Sequence, residues 1–220
     1  MQGETNETVG SNFSEQLLQT ARDKTLQVIN LTAKRVHAGM LESEARKLLQ
    51  EIQAEVGAPK SWHPPQIRFG KNTLLHFGQK PTEDFALAEN DIFFFDIGPL
   101  FEDHEGDVGR AFTIGNNPDM KRCCHDVEMI WNKVRDHWKT EKVSGVELYE
   151  FAKKTAADLG WILSLEKANG HRISDFPHIA RMRGCIDGFK ETPAANRWIL
   201  EIQIRHPEKP FGAFYEDLLN

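Results

Sequence analysis

The chain is expected to be an α+β protein on three observations: apolar stripes at helical spacing near its start, a pair of strand-like runs in the middle, and a second such pair at the end. The first stripe is Leu17, Leu18, Ala21, Thr25, Val28 and Ile29. The second, Leu41, Ala45, Leu48, Leu49, Ile52 and Val56, closes at Gly57. Ser61-Trp62-His63-Pro64-Pro65 reads as a loop, Gln66 to Phe69 as a short strand, and Gly70 to Gln79 as turn and connection. Strands over Asp91–Gly98 and Val108–Gly115 follow, joined by an acidic loop from Glu102 to Gly106. Asn117 caps a helix that has Pro118 at its first position and runs to about Lys139. Ser144 and Glu147 form a capping box for the next helix, which buries Leu148, Phe151, Ala152, Thr155 and Leu159 and stops at Gly160. Arg197 to Ile204 and Phe211 to Leu218 are the last strands, around the turn His206-Pro207-Glu208-Lys209-Pro210.

At 220 residues the chain suffices for one core, burying roughly 70% of the surface of its unfolded form, so a single domain over 1–220 is expected, with 1–10 a flexible segment. The balance of 27 Lys+Arg against 33 Asp+Glu, net −6, has no basic cluster that would track phosphates, which argues against nucleic acid. Met1 to Gly10 lacks the features of a secretory signal, and no apolar run reaches membrane-spanning length. A soluble, cytoplasmic protein with no membrane partner is expected. Cys123, Cys124 and Cys185 form no CxxC pair, which argues against both a disulfide framework and a thiolate zinc site. Cys123 shares helical spacing with Val127, Ile130, Val134 and Trp138 and reads as core.

Polar residues inside the strands carry the chemistry. Asp96 ends the apolar run Ile92 to Phe95, and Asp107 lies eleven positions on; Glu201 interrupts Trp198 to Ile204, and Glu216 stands beside Asp217 in the final strand. An ionised carboxylate carried out of an apolar run is costly without a partner, and several on one face repel unless cations lie between them. One imidazole would complete a metal site. His171, in Asn169-Gly170-His171-Arg172-Ile173-Ser174-Asp175-Phe176-Pro177-His178, is the best candidate, because Gly170 and Ser174 let the backbone approach closely.

With these residues in hand, the chain resembles the pita-bread metallopeptidases, which include methionine aminopeptidases, Xaa-Pro aminopeptidases and prolidases. The resemblance runs over nearly the whole length: Gly39-Met40 before the second helix, Phe69-Gly70-Lys71-Asn72-Thr73 leading to His76, Asp96-Ile97-Gly98-Pro99 with Asp107 and Arg110, then the His171 region, Glu201 and Glu216-Asp217. It implies a curved antiparallel sheet flanked by helices and two divalent ions. Asp96 would hold one ion through both oxygens, Asp107 and Glu216 would bridge the pair, and His171 with Glu201 would complete the other. Mn, Fe or Co suit such ligands best and Zn also fits. Cations so held would acidify a bound water and polarise a scissile carbonyl. The resemblance further implies that His76 faces the substrate's N-terminal residue and that His178 hydrogen-bonds the reacting carbonyl oxygen. His63, His104 and His125 match no such position and stay outside the expected site.

Three departures bear on the substrate. Arg172 and Ser174 stand where family members carry glycines, and Ile179 where they carry an acid. Arg172 would either grip a substrate carboxylate or pair with Asp175. The chain ends three residues after Asp217, earlier than in relatives, which leaves the last edge short or completed by a second copy in a homodimer. The expected activity is removal of the N-terminal residue from a short peptide, with Gly98-Pro99 leaning toward the proline-directed branch. The alternatives are a hydrolase of a small amide or guanidino compound and, disfavoured by the full ligand set, a metal-free binding module.

Overall fold

The computed structural model describes residues 7–173 and 184–220. Ser14 opens α1 (Glu15–Ala33) by accepting the Leu17 N–H on its hydroxyl, and the apolar stripe of the sequence faces inward as Leu18, Ala21, Val28 and Ile29. α2 (Glu42–Val56) begins where the Glu44 carboxylate accepts the Leu41 N–H and ends at Gly57, whose φ of 103° suits a residue without Cβ. β1 (Gln66–Phe69), a 3₁₀ turn at Gly70–Leu74 and β2 (Asp91–Ile97) follow.

The acidic loop expected over Glu102 to Gly106 is instead a small hairpin, β3 (Leu100–Phe101) with β4 (His104–Glu105). Glu102 and Asp103 both take positive φ, the geometry that matches strand twist in a two-residue turn. Buried His104 fixes it: Nδ1 donates to the Glu102 carbonyl at 2.9 Å and Nε2 accepts the Ser14 N–H at 2.9 Å. β5 (Val108–Ile114) leads to α3 (Pro118–Glu141), capped by the Asn117 side chain, and to α4 (Gly145–Asp158), opened by the reciprocal Ser144–Glu147 cap. The short strands β6 (Ile162–Ser164) and β7 (His171–Arg172) then precede β8 (Trp198–Arg205) and β9 (Gly212–Leu218).

The strands form one curled, wholly antiparallel sheet in the order β1-β2-β5-β9-β8-β6, with β7 also beside β8. Alternation along each strand divides its residues between two faces. On the convex side, Phe93, Phe95, Ile97 and Val108 pack against Val28, Ile29, Leu49 and Ile52 of α1 and α2. Leu200, Ile202, Ile204 and Ala213 pack against Val127, Ile130, Val134 and Leu148 of α3 and α4. Each of these larger side chains contributes about 1.5–3 kcal/mol by leaving water. Cys123 lies in this core, and burial pushes its thiol well above the ordinary range.

Asp217 also belongs to the convex side. It accepts from Arg22 Nε at 2.5 Å and Arg22 Nη2 at 2.8 Å, and pairs with Arg110, so one carboxylate ties α1, β5 and β9 together. Within the segment expected to be flexible, Glu7 Oε1 accepts from the Trp198 indole N–H at 2.5 Å and the Ala194 N–H at 2.7 Å; residues 1–6 lie outside those described. No helix among the described residues is long and apolar enough to cross a membrane.

Candidate metal centre and cleft

The concave face receives the alternate residues. Strand register sets Asp96 opposite Gly109, Gly109 opposite Glu216, and Glu216 opposite Glu201, so one line across β2, β5, β9 and β8 carries three carboxylates and a glycine. Gly109 has a steric reason to be bare: a Cβ there would stand 2.4 Å from Phe214 Cε1 and 3.0 Å from Glu216 Cβ. Asp107, two residues before Gly109, falls on the same face. His171 enters from β7, paired to Ile199. Gly170, at φ 65°, brings that strand in; a Cβ there would press on the Ile199 carbonyl at 2.6 Å, and its N–H donates to Glu201 Oε2 at 2.8 Å.

The five residues expected as metal ligands therefore border one cleft of about 380 Å³ among the described residues. His171 Nε2 is 3.2 Å from Asp107 Oδ2 and 3.6 Å from Glu216 Oε1, and these three side chains offer donor atoms within 4.8 Å of one another. Glu216 Oε2 is buried without a hydrogen-bond partner among the described residues, an arrangement that costs a few kcal/mol unless a cation or proton satisfies it. Electrostatics tell the same story. Burial, with repulsion from Asp107, lifts Asp96 to about 6; burial, with repulsion from Asp96 and Asp107, lifts Glu201 to about 7; Glu216 rises well above the carboxylate range for the same reasons. Burial works against a charged His171, but contacts with Asp107 and Glu216 win and hold its imidazole protonated well above the usual range. Protons here do what a divalent cation would do better, so this donor set fits divalent metal.

His76 lines a narrow recess beside the cleft, together with Asp96 and Glu201. Its Nδ1 donates to the Phe77 carbonyl at 3.1 Å, Nε2 lies 3.5 Å from Glu166, and the segment before it is fastened to β8 by Gln203, which donates to the Thr73 and Leu75 carbonyls. His178 lies outside the described residues, as does Asp175. Arg172 borders the cleft as well, and its expected pairing with Asp175 lies outside the described residues. Its strand neighbour His171 faces the centre, whereas the Arg172 guanidinium is buried and donates to the carbonyls of Arg197 and Thr8 at 3.1 and 3.2 Å. Gripping a substrate carboxylate would require it to leave them. Lys167 borders the cleft too, and exposed Trp62 and Phe77 flank it.

Two residues that sequence reasoning left out stand in the centre. His63 Nε2 is 3.6 Å from Asp96 Oδ1 and 3.6 Å from Asp107 Oδ1. Burial opposes its charge, yet Asp107, Asp96 and Glu105 raise it to about 10. Glu105 is fully buried and groups with His63 and Asp107. A signal for Glu105 was present, since 105, 107 and 109 share a strand period. His63 sits in a proline-flanked loop with no period to mark it.

The sequence profile described as metallopeptidase family M24 matches residues 16–219. A search of curated proteins returns no match. Among solved structures, an X-Pro aminopeptidase from Thermotoga maritima superposes with TM-score 0.74 at 21% identity, over 96% of this chain and 58% of that one. The prolidase of Pyrococcus horikoshii gives 0.74 at 16%, over 96% and 59%. A methionine aminopeptidase from Thermotoga maritima gives 0.72 at 12%, over 95% and 94%. The chain thus spans under three-fifths of the first two and nearly the full length of the third. These likenesses establish the fold, and the profile match across all but the first 15 residues and the last shows that the chain belongs to metallopeptidase family M24.

Proposed function

We propose that the protein is a metal-dependent aminopeptidase or dipeptidase that removes the N-terminal residue of a short peptide, with Xaa-Pro peptides the first to test. The observation that carries this reading is the meeting of Asp96, Asp107, His171, Glu201 and Glu216, drawn from separate strands, on one buried concave face within a family of metallopeptidases. Those five would hold two divalent ions of the Mn, Fe or Co type, with Zn also compatible. Such ions, when bound, supply Lewis acidity for the scissile carbonyl and lower the pKa of a bound water. The protein's own groups do the rest. Buried carboxylates exclude bulk water and keep the field of the centre strong. His76, fixed by the Gln203 anchor, would meet the substrate's N-terminal residue, and Trp62 with Phe77 would cover its side chain. Lys167, on the border of the cleft with Arg172, would attract the carboxylate of a dipeptide. A cleft of this volume admits a peptide of two or three residues.

The test pairs elemental analysis of protein purified without added metal with hydrolysis of Met-Xaa, Xaa-Pro and unrelated amide panels. Bound metal with release of an N-terminal residue supports the reading. Bound metal with cleavage of non-peptide amides alone would replace it by a small-molecule hydrolase, and absence of metal uptake would replace it by a binding module.

A further inference from the structure

The loop Ser61–Pro65 contributes a histidine to the centre that the five-residue ligand set does not contain. The loop is stitched beside the end of β2: the Trp62 N–H donates to the Gly98 carbonyl at 2.9 Å, the Leu100 N–H to the Lys60 carbonyl at 3.0 Å, and Ser61 bridges Pro99. His63 is further held edge-on against Phe77, ring centroids 5.7 Å apart. Its Nδ1 lies 3.1 Å from the Pro64 carbonyl oxygen. A carbonyl only accepts, so Nδ1 carries the hydrogen and Nε2 is the nitrogen presented to the carboxylates. Metal-bound histidines are commonly oriented in this way, by donating the distal N–H to a backbone carbonyl.

Distances point the same way. At 3.6 Å from both Asp96 Oδ1 and Asp107 Oδ1, Nε2 is beyond a good hydrogen bond to either. Donors each about 2.1 Å from a shared ion lie roughly 3–3.5 Å apart at octahedral or tetrahedral angles. Asp107 is divided between two imidazoles, Oδ1 toward His63 and Oδ2 toward His171. Beside His63 stands Glu105, whose room depends on Gly98: a Cβ at that position would lie 2.1 Å from Glu105 Oε1 and 3.0 Å from His63 Nε2.

We propose that His63 is a metal ligand for the cation on the Asp96 side, with Glu105 beside it, so that each ion of the pair has one imidazole and Asp107 joins them. The inference rests on the reading that the five residues above hold divalent cations. It assigns a nitrogen donor to an ion otherwise held by oxygen alone, and so shifts preference from Mn toward Co, Ni or Zn.

The experiment is titration of metal-stripped protein with Co²⁺, followed by calorimetry and by proton NMR of the paramagnetic complex. Two shifted, exchangeable imidazole N–H signals are expected in the wild type, one lost in His171→Ala and the other in His63→Ala. His63→Ala should also weaken one of two binding steps by about 10–100-fold and leave the other within a fewfold. A single imidazole signal in wild-type protein overturns the proposal, and needs no variant to fold. So does a His63→Ala protein with both signals and unchanged binding. Wild-type protein that takes up two Co²⁺ while either of these results is obtained leaves the metallopeptidase reading intact; wild-type protein that takes up none removes both.

Discussion

Glu216 and Asp217 are neighbours in β9, yet they sit in opposite electrostatic worlds. Asp217, on the convex face, meets two guanidinium groups and keeps three elements together. Glu216, on the concave face, meets other carboxylates and a histidine, and its own Oε2 lacks a hydrogen-bond partner among the described residues. The comparison separates charge that the fold has neutralised for its own stability from charge that awaits a ligand. Only the second kind marks a site.

Removing a concave carboxylate should cost the protein its metal. Glu216→Ala or Asp107→Ala should lower metal loading and peptide turnover together, by more than about 100-fold in kcat/KM, with the melting temperature of the metal-free protein unchanged or raised because mutual repulsion falls. Elemental analysis, kinetics and calorimetry check the three parts. Asp217→Ala should do the reverse. It strands Arg22 and Arg110, whose side chains are 26% and 14% exposed, and a loss of about 2–3 kcal/mol is expected, less than for a fully buried pair. Urea denaturation should record it while metal stoichiometry holds.

The concave charges also make the metal-free protein sensitive to pH. Asp96 and Glu201 are lifted from ordinary values of 3.8 and 4.5 to about 6 and 7, and His63 from 6.5 to about 10, so the folded state holds protons that the unfolded state has released. Stability from these groups is present below their ordinary values and is lost as pH rises through the raised ones. The melting temperature should therefore fall between pH 5 and pH 9. Saturating divalent metal should flatten or invert that slope, since cations compete with protons for the same atoms. The smallest effect belongs to the convex surface. Ser144→Ala, which removes the hydroxyl that accepts the Glu147 N–H at 3.3 Å, should cost about 1 kcal/mol and leave metal binding untouched.

Much of the fold is legible in the sequence. The capping residues Asn117 and Ser144 and the positive-φ Gly57 bound their helices as read, because each acts within one turn of chain. β2 ends at Ile97 and β9 starts at Gly212, each within a residue of its expected bound. The acidic stretch after Pro99, expected as a loop, forms a hairpin because His104 closes the turn and Glu105 is drawn inward by its place two residues before Asp107. Strands β6 and β7 carry three and two residues, too few to show a period, and exist because β8 offers them an edge. Of the centre, the side chains on long strands could be foreseen from their intrusion into apolar runs. His63 could not, since its approach depends on backbone bonds to Gly98 made only after folding.

Gly98 carries a consequence of its own. Its hydrogen occupies the spot where a Cβ would stand 2.1 Å from Glu105 Oε1 and 3.0 Å from His63 Nε2, so an added side chain must displace the end of the buried Glu105. Alanine at 98 should be tolerated only alongside a shortened partner such as Glu105→Ala, and a double-mutant cycle on the two would show strong coupling. A variant that kept the acid and lost the glycine would have to find the carboxylate a new place, away from the imidazole it now accompanies.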